Sequence, residues 1–491
     1  MNTKRRVSDL SSHKLNKKKG VILSPLNEAF GEQLKLSSWS QERMPEYLWL
    51  GLILMNYERK EGIKIVQKIL FNISKIIPDF DYPKLSKIIY LSPEKQEIIY
   101  EIIKNGAGSK ALSPLTIIYR NHDFPIFNQY FNLPEISFNS RLDKLLKAVD
   151  IYSFPQSNEA TDLQYLSFNL MIMKNKFVIS GDLKNIIGAL EEYSNTDHCK
   201  EIMEKHRAFI RALTGNEFEE KNDIFCKKFW KDISMITKCA PMIVEYGKSI
   251  IEYENFINGY KNIIEHIHLT NKEKHFNDSK YDVIIGSTIY SLKIFIEMNT
   301  NSLENGIMGR LGLRTIIEVL MILKYLQKKQ IEKPNVWEEY KLYGIDKYKL
   351  ILLKAREIIV ENSSHINSKI IEIIVNEDKW EEFVDIDLKY FDDMKIREKF
   401  NYVGEKNLYN AYDYDSNFAH GLWGAIRESS MLHCHNSAHQ FHSVPDIYLE
   451  QKLPNIIHDS ISVMLSLLEI LKENYEIPEE LLDKVGIIGG K

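Results

Sequence analysis

The sequence predicts an all-α protein in two parts, and three observations carry that expectation. Apolar residues recur three and four positions apart through most of the chain, as at Ile63, Val66, Ile69 and Leu70, which is the period of a helix with one buried face. Only Lys176 to Ser180, KFVIS, reads as strand, and it stands alone among the helical periods. Asn and Pro punctuate the pattern at Pro83, Pro93, Pro114, Pro125 and Pro134, as expected for helices joined by short loops.

Length and composition bound what the helices can build. At 491 residues the chain exceeds one ordinary core, so two or three domains are expected. With 44% apolar and 27% charged residues it has the balance of a folded soluble protein. A formal net charge of -4 gives no global nucleic-acid footprint, so any RNA or DNA contact has to be a local patch. Cys199, Cys226, Cys239 and Cys434 form no CxxC pair, which points to reduced thiols and a cytoplasmic setting.

Residues 1–20 hold seven Lys/Arg against one Asp and almost nothing apolar. A disordered basic tail is expected, either solubilising or touching a phosphate backbone. No apolar core follows these charges as in a secretory signal. The longest apolar run, YLWLGLILM, is too short to span a membrane.

Residues 21–265 read as an N-terminal helical domain of unassigned role. Pro45 opens a helix that is apolar nearly all round from Tyr47 to Met55, and Ser86–Lys104 and Leu142–Tyr152 follow at helical spacing. Arg207 and Arg211 lie one turn apart in KHRAFIRAL, and a solvated helix face is the expected setting. A polar stretch, Thr270 to Lys280, places a domain boundary between 250 and 280.

Residues 280–475 carry longer helical periods: Asp282–Met298, Leu303–Gln330, Trp337–Ile359, Ser368–Val375, Leu408–Leu432 and Leu453–Asn474. So many helices in so short a span make a bundle, followed by a tail at 476–491. Ile316 to Leu323 is apolar except for Glu318, four residues after Arg314. The pair is therefore expected inside the bundle or at its wall, where a charge is tolerable only with a partner.

Chemistry concentrates between Tyr412 and His442, which holds five of the fourteen histidines, the side chain that changes charge near neutral pH. Read as one helix, Leu408–Leu432 puts Tyr409, Asp413, Ser416, His420, Gly424, Arg427 and Met431 on one stripe. A phosphate could lie across the gap at Gly424. His433, His435, His439 and His442 follow in HxHxxxHxxH, a set able to converge on zinc or another divalent transition metal, with Cys434 as a further ligand. There is no glycine-rich phosphate loop, GxSxG, HExxH or internal repeat.

Two resemblances rest on these residues. A helix with RxxxE (Arg314, Glu318) followed by YxxxSxxxHG (Tyr412, Ser416, His420, Gly421) resembles the bacterial DUF5677 family of unknown function. The stretch RESSMLH, from Arg427 to His433, resembles the R-x(4-6)-H motif of HEPN-domain proteins, helical bundles found in RNA-cleaving toxins and phage-defence systems. The second resemblance implies a C-terminal HEPN-like bundle and metal-independent RNA cleavage by attack of the ribose 2′-hydroxyl on the adjacent phosphate. His433 or His420 would move the proton and Arg427 would hold the phosphate charge through its planar fork. Ser416 or Asn417 would orient the histidine, and one motif per chain implies a homodimer.

The expectation is thus a prokaryotic cytoplasmic endoribonuclease of defence or toxin character, without cofactor, acting on RNA and off the membrane. Two alternatives stand beside it. One is a non-catalytic nucleic-acid-binding or scaffold protein with a partner docked on the N-terminal half; the other is a metal-dependent hydrolase built on His433 to His442.

Overall fold

The computed structural model describes residues 10–24, 28, 38–176, 184–215, 222–247, 253–276, 278–357, 365–377, 380, 386, 391–485. Helix dominates them, as the apolar spacing predicts. The chain divides into two compact units: Met1–Met242 with His433–Ser443, and Ile243–Leu432 with Val444–Lys491. The division falls ahead of the expected 250–280, and an eleven-residue stretch late in the chain belongs to the first unit.

In the first unit, α1 (Met44–Leu54) is buried at every position, with Pro45 in its first turn. An all-round apolar helix of this kind becomes the centre of a core. It packs on α2 (Arg59–Ile76) and α4 (Phe138–Ser153), which with α3 (Pro93–Ala107), α5 (Asn158–Met173), α6 (Ile202–Leu213) and α7 (Asp223–Met235) share one apolar core. Gly51 permits the closest approach: a Cβ there would lie 2.5 Å from the Tyr152 ring. Glu46 is fully buried yet accepts from the Ser86 amide at 2.9 Å and the Ser86 hydroxyl at 2.7 Å, which offsets its loss of water.

A second buried carboxylate, Asp162, ties α2, α5 and the Tyr193–His198 turn together. Arg59 grips it with contacts of 2.9 to 3.2 Å, and Tyr193 Oη and His198 Nε2 approach at 2.7 and 3.2 Å. Burial would raise its pKa, but the bonds from His198 and Arg59 and the Arg59 charge hold it below the ordinary range. The same network corrects the expectation for KHRAFIRAL. Arg207 is 9% exposed and donates to the His198 carbonyl at 3.1 Å, and Arg211 Nε donates to Thr161 Oγ1 at 2.8 Å. Arg207 is buried and Arg211 partly buried, each bonded to its own unit, so the two do not form the solvated face expected.

The N-terminal tail also departs from expectation. Within residues 10–24, β1 (Lys14–Asn16) and β2 (Val21–Leu23) pair antiparallel. Asn16 Oδ1 accepts from the amides of Lys18 and Lys19, and Gly20 sits at φ +64°, so an Asx-type turn with a left-handed glycine closes a hairpin. The strand expected at Lys176 to Ser180 lies, apart from Lys176, outside the described residues.

The second unit is a helical bundle. Its helices include α8 (Glu254–Thr270), α9 (Ser279–Thr300), α10 (Ile307–Lys329), α11 (Val336–Glu357), α12 (Ile396–Val403), α13 (Lys406–Ala419), α14 (Trp423–Ser430), α15 (Ile457–Asn474) and α16 (Glu479–Val485), the last packed on α8. At its centre α10 buries Ile316, Ile317, Leu320, Met321, Leu323 and Leu326, and α9, α13 and α15 pack on it. A short helix, Ser368–Val375, matches the sequence reading residue for residue. Among the described residues no helix is long and apolar enough to cross a membrane.

The single helix expected over Leu408–Leu432 does not form. It ends at Ala419, resumes at Trp423, and gives way at Met431 to β4 (Met431–Cys434). The cause is local: Gly421 adopts φ +59°, its amide bonds the Phe418 carbonyl, and the Leu422 amide reaches back to Asn417. That pair of bonds is a Schellman stop, with glycine at the left-handed position. The stripe therefore breaks between His420 and Gly424.

Candidate functional site

Of the stripe, Ser416 on α13 meets α10, together with Tyr412 one turn before it. Arg314 Nε donates to Ser416 Oγ at 3.0 Å and Nη2 to Tyr412 Oη at 2.9 Å, while Nη1 lies 3.2 Å from Glu318. The guanidinium also lies 4.8 Å from the Tyr412 ring centroid. The helical period explains the convergence. Arg314 and Glu318 are one turn apart on α10, Tyr412 and Ser416 one turn apart on α13, so two i, i+4 pairs face each other. The Arg314 and Glu318 side chains keep 21% and 37% of their exposure, which puts them at the wall of the bundle and excludes a sealed interior pair.

Beside this seam lies a group that sequence reasoning missed. Asp415 is 1% exposed, and its Oδ1 has no hydrogen-bond partner. Burial pushes its carboxyl up to about 7, with Arg310 opposing and Asp459 adding to the shift. Arg310 is itself buried, donates to the Pro454 carbonyl at 2.6 Å and lies over Tyr414, whose hydroxyl donates to Glu428 at 2.5 Å. No motif marks Asp415. Its one sequence signal is position, an acid in the middle of a helix beside a residue that faces the core.

The remaining site residues are placed as follows. His420 is exposed at the C-cap of α13, one residue before the turn. Asn417 donates to the Asp413 and Tyr414 carbonyls of its own helix, and Ser416 Oγ donates to the Tyr412 carbonyl. Neither side chain orients an imidazole, contrary to expectation. Arg427, on α14, donates to the Met431 carbonyl at 2.6 Å and so caps its own helix end. His433 belongs to the first unit, where its ring stacks on Phe441 at 5.9 Å between centroids.

The late histidines separate into two groups. His433 and His435 meet edge to face at 5.8 Å between ring centroids. His439 and His442 instead gather with Cys434 and with Cys239, and the four donor atoms lie within 4.8 Å of one another. Of the four histidines read as a possible metal set with Cys434, the structure gathers His439 and His442 with Cys434 and adds Cys239, and it leaves His433 and His435 outside the four. Cys239 escaped the sequence reading because it lies 200 positions from His439 in the chain.

Comparison with known proteins bears on the second unit and the start of this cluster. Residues 287–439 match the family model of DUF5677, described as a family of unknown function. The DUF5677 match takes in the whole Arg314, Glu318, Tyr412 and Ser416 seam, His420 and Arg427, and it stops at His439, short of His442 and without Cys239. No curated protein and no solved structure resembles the chain closely enough to count as a match.

Proposed function

We propose that the protein is a metal-independent endoribonuclease of HEPN-like type. The observation that carries this reading is the convergence of Arg314, Glu318, Tyr412 and Ser416, separated by about a hundred residues of chain, into one polar seam at the bundle wall. That seam ends at an exposed imidazole, His420. Cleavage by the ribose 2′-oxygen needs a proton acceptor and a fixed cation beside the phosphate, and no metal. In this account His420 takes the 2′-hydroxyl proton and Arg427 meets the charge growing on the phosphate oxygens. The reading carries with it a homodimer, a cytoplasmic setting, RNA as substrate, a partner protein on the first unit and a defence or toxin role.

The test is incubation of the purified full chain with end-labelled RNA in buffer free of divalent ions. Cleavage leaving 2′,3′-cyclic phosphate ends is expected, and alanine at Arg427 or His420 lowers it by about 10² or more.

A second reading, a non-catalytic helical scaffold, is favoured by one observation. All three nitrogens of the Arg314 fork already have protein partners, and a guanidinium so engaged locks two helices without any ligand. Intact RNA in the same assay, with wild-type stability lost on Arg314 substitution, supports this reading.

A further inference from the structure

We infer that Cys239, Cys434, His439 and His442 bind one zinc ion in a closed tetrahedral site that fastens residues 433–443 to the rest of the first unit. The four donors are two sulfurs and two ring nitrogens. This set suits a tetrahedral, borderline-soft cation, zinc above the other divalent metals. With Zn–S near 2.3 Å and Zn–N near 2.0 Å, the edges of such a tetrahedron run from about 3.3 to 3.8 Å. Cys239 Sγ lies 3.2 Å from His439 Nδ1 and 3.3 Å from His442 Nε2. These two edges stand near that spacing, and all four donor atoms lie within 4.8 Å of one another.

Two further features point to an ion. Thr237 Oγ1 stands 3.0 Å from the Ile233 carbonyl, to which it donates, and 2.8 Å from His439 Nε2. Its oxygen then accepts from Nε2–H, so the proton is fixed there and the Nδ1 lone pair is turned toward the two sulfurs, the arrangement that orients a metal-bound histidine. Cys239 Sγ touches two ring nitrogens at once and Cys434 Sγ belongs to the same group, so four lone-pair donors are gathered in one place. A single cation satisfies all four donors, and two thiolates neutralise its charge.

The backbone is shaped for this purpose. β3 (Pro241–Met242) pairs with β4, Pro241 opposite Cys434 and Met242 opposite His433, so Cys239 is brought alongside Cys434. The Ala240 amide points at Cys434 Sγ from 3.4 Å, a contact that favours the thiolate. Asn436 donates to the Lys238 carbonyl and caps the short turn Ser437–His439. Gln440 and Phe441 then take φ values of +55° and +51°, a left-handed pair costly for residues with side chains. Those two residues turn the chain back and deliver His442 to the cluster. Four protein ligands leave no position for a substrate water, so the metal holds structure and does no hydrolysis.

The full chain, purified without chelator, is expected to hold one zinc per molecule by elemental analysis. Replacing zinc with cobalt(II) should give thiolate charge-transfer and tetrahedral ligand-field bands. Cys239→Ser and His442→Ala, both at exposed positions, should each weaken retention at least tenfold, and His433→Ala and His435→Ala should leave it unchanged. Should the ligand variants fail to fold, thiol alkylation of the wild type decides: Cys239 and Cys434 are protected by zinc and react after chelation. Absence of stoichiometric metal together with no cobalt bands overturns the inference, as does loss of metal in the His433 or His435 variants alone.

Discussion

The Nε2 atom of His439 lies 2.8 Å from Thr237 Oγ1, and its Nδ1 atom lies 3.2 Å from Cys239 Sγ. One ring therefore links a hydroxyl on one side to a sulfur on the other, and the hydroxyl decides which nitrogen carries the proton. Thr237→Val keeps the shape and removes that control. It should weaken zinc retention about 10- to 100-fold, measured by competition with a chromogenic chelator. Retention equal to wild type would show that the threonine does not set the tautomer.

Arg314→Lys tests the seam between α10 and α13. Lysine keeps the charge but cannot reach Ser416, Tyr412 and Glu318 together, since it lacks the planar fork. Because the pair is partly exposed, the loss is expected at about 1 to 2 kcal/mol, read as a lowered urea midpoint at constant slope. An unchanged midpoint would mean that the seam adds nothing to the bundle.

Asp415 predicts a pH signature. Its folded-state pKa of about 7 lies above the ordinary carboxylate value near 3.9, so the folded chain keeps a proton that the unfolded chain has released. Stability is whole below about pH 4 and falls as pH rises toward 7, by up to about 4 kcal/mol. Asp415→Asn removes that dependence and should be more stable than wild type at pH 8, with the gap closing toward pH 4. Thermal denaturation of both proteins across this range gives the answer; parallel curves would contradict the shift.

Gly421→Ala puts a side chain on a left-handed backbone at φ +59°. The strain is expected to cost about 1 to 2 kcal/mol, seen as a lower melting temperature. A Cβ there meets no heavy atom within 4 Å, so a null result would show that the turn relaxes without resistance.

Much of the fold was legible because helices write their period into the sequence. Ser368–Val375 was read to the residue, and α9, α10, α11 and α15 within a few positions of their ends. The break after α13 was not, because Ser416, His420, Gly424 and Arg427 keep helical spacing straight through it. Gly421 was the stop signal, and the stripe hid it. Arg207 and Arg211 look like surface cations in sequence; only the fold brings the His198 carbonyl to one and Thr161 on α5 to the other. The seam was half legible, since Arg314 with Glu318 and Tyr412 with Ser416 could each be paired along a helix but not across two. Cys239 was invisible for a related reason: strand pairing, not sequence proximity, brings it to Cys434.

The most direct test of the proposed activity is RNA cleavage by the 491-residue chain in buffer without added divalent ions, compared with its His420→Ala and Arg427→Ala variants. Wild-type cleavage to 2′,3′-cyclic phosphate ends, reduced about 10²-fold or more in both variants, is the predicted result. Intact RNA with wild type, or equal cleavage by all three proteins, would contradict it.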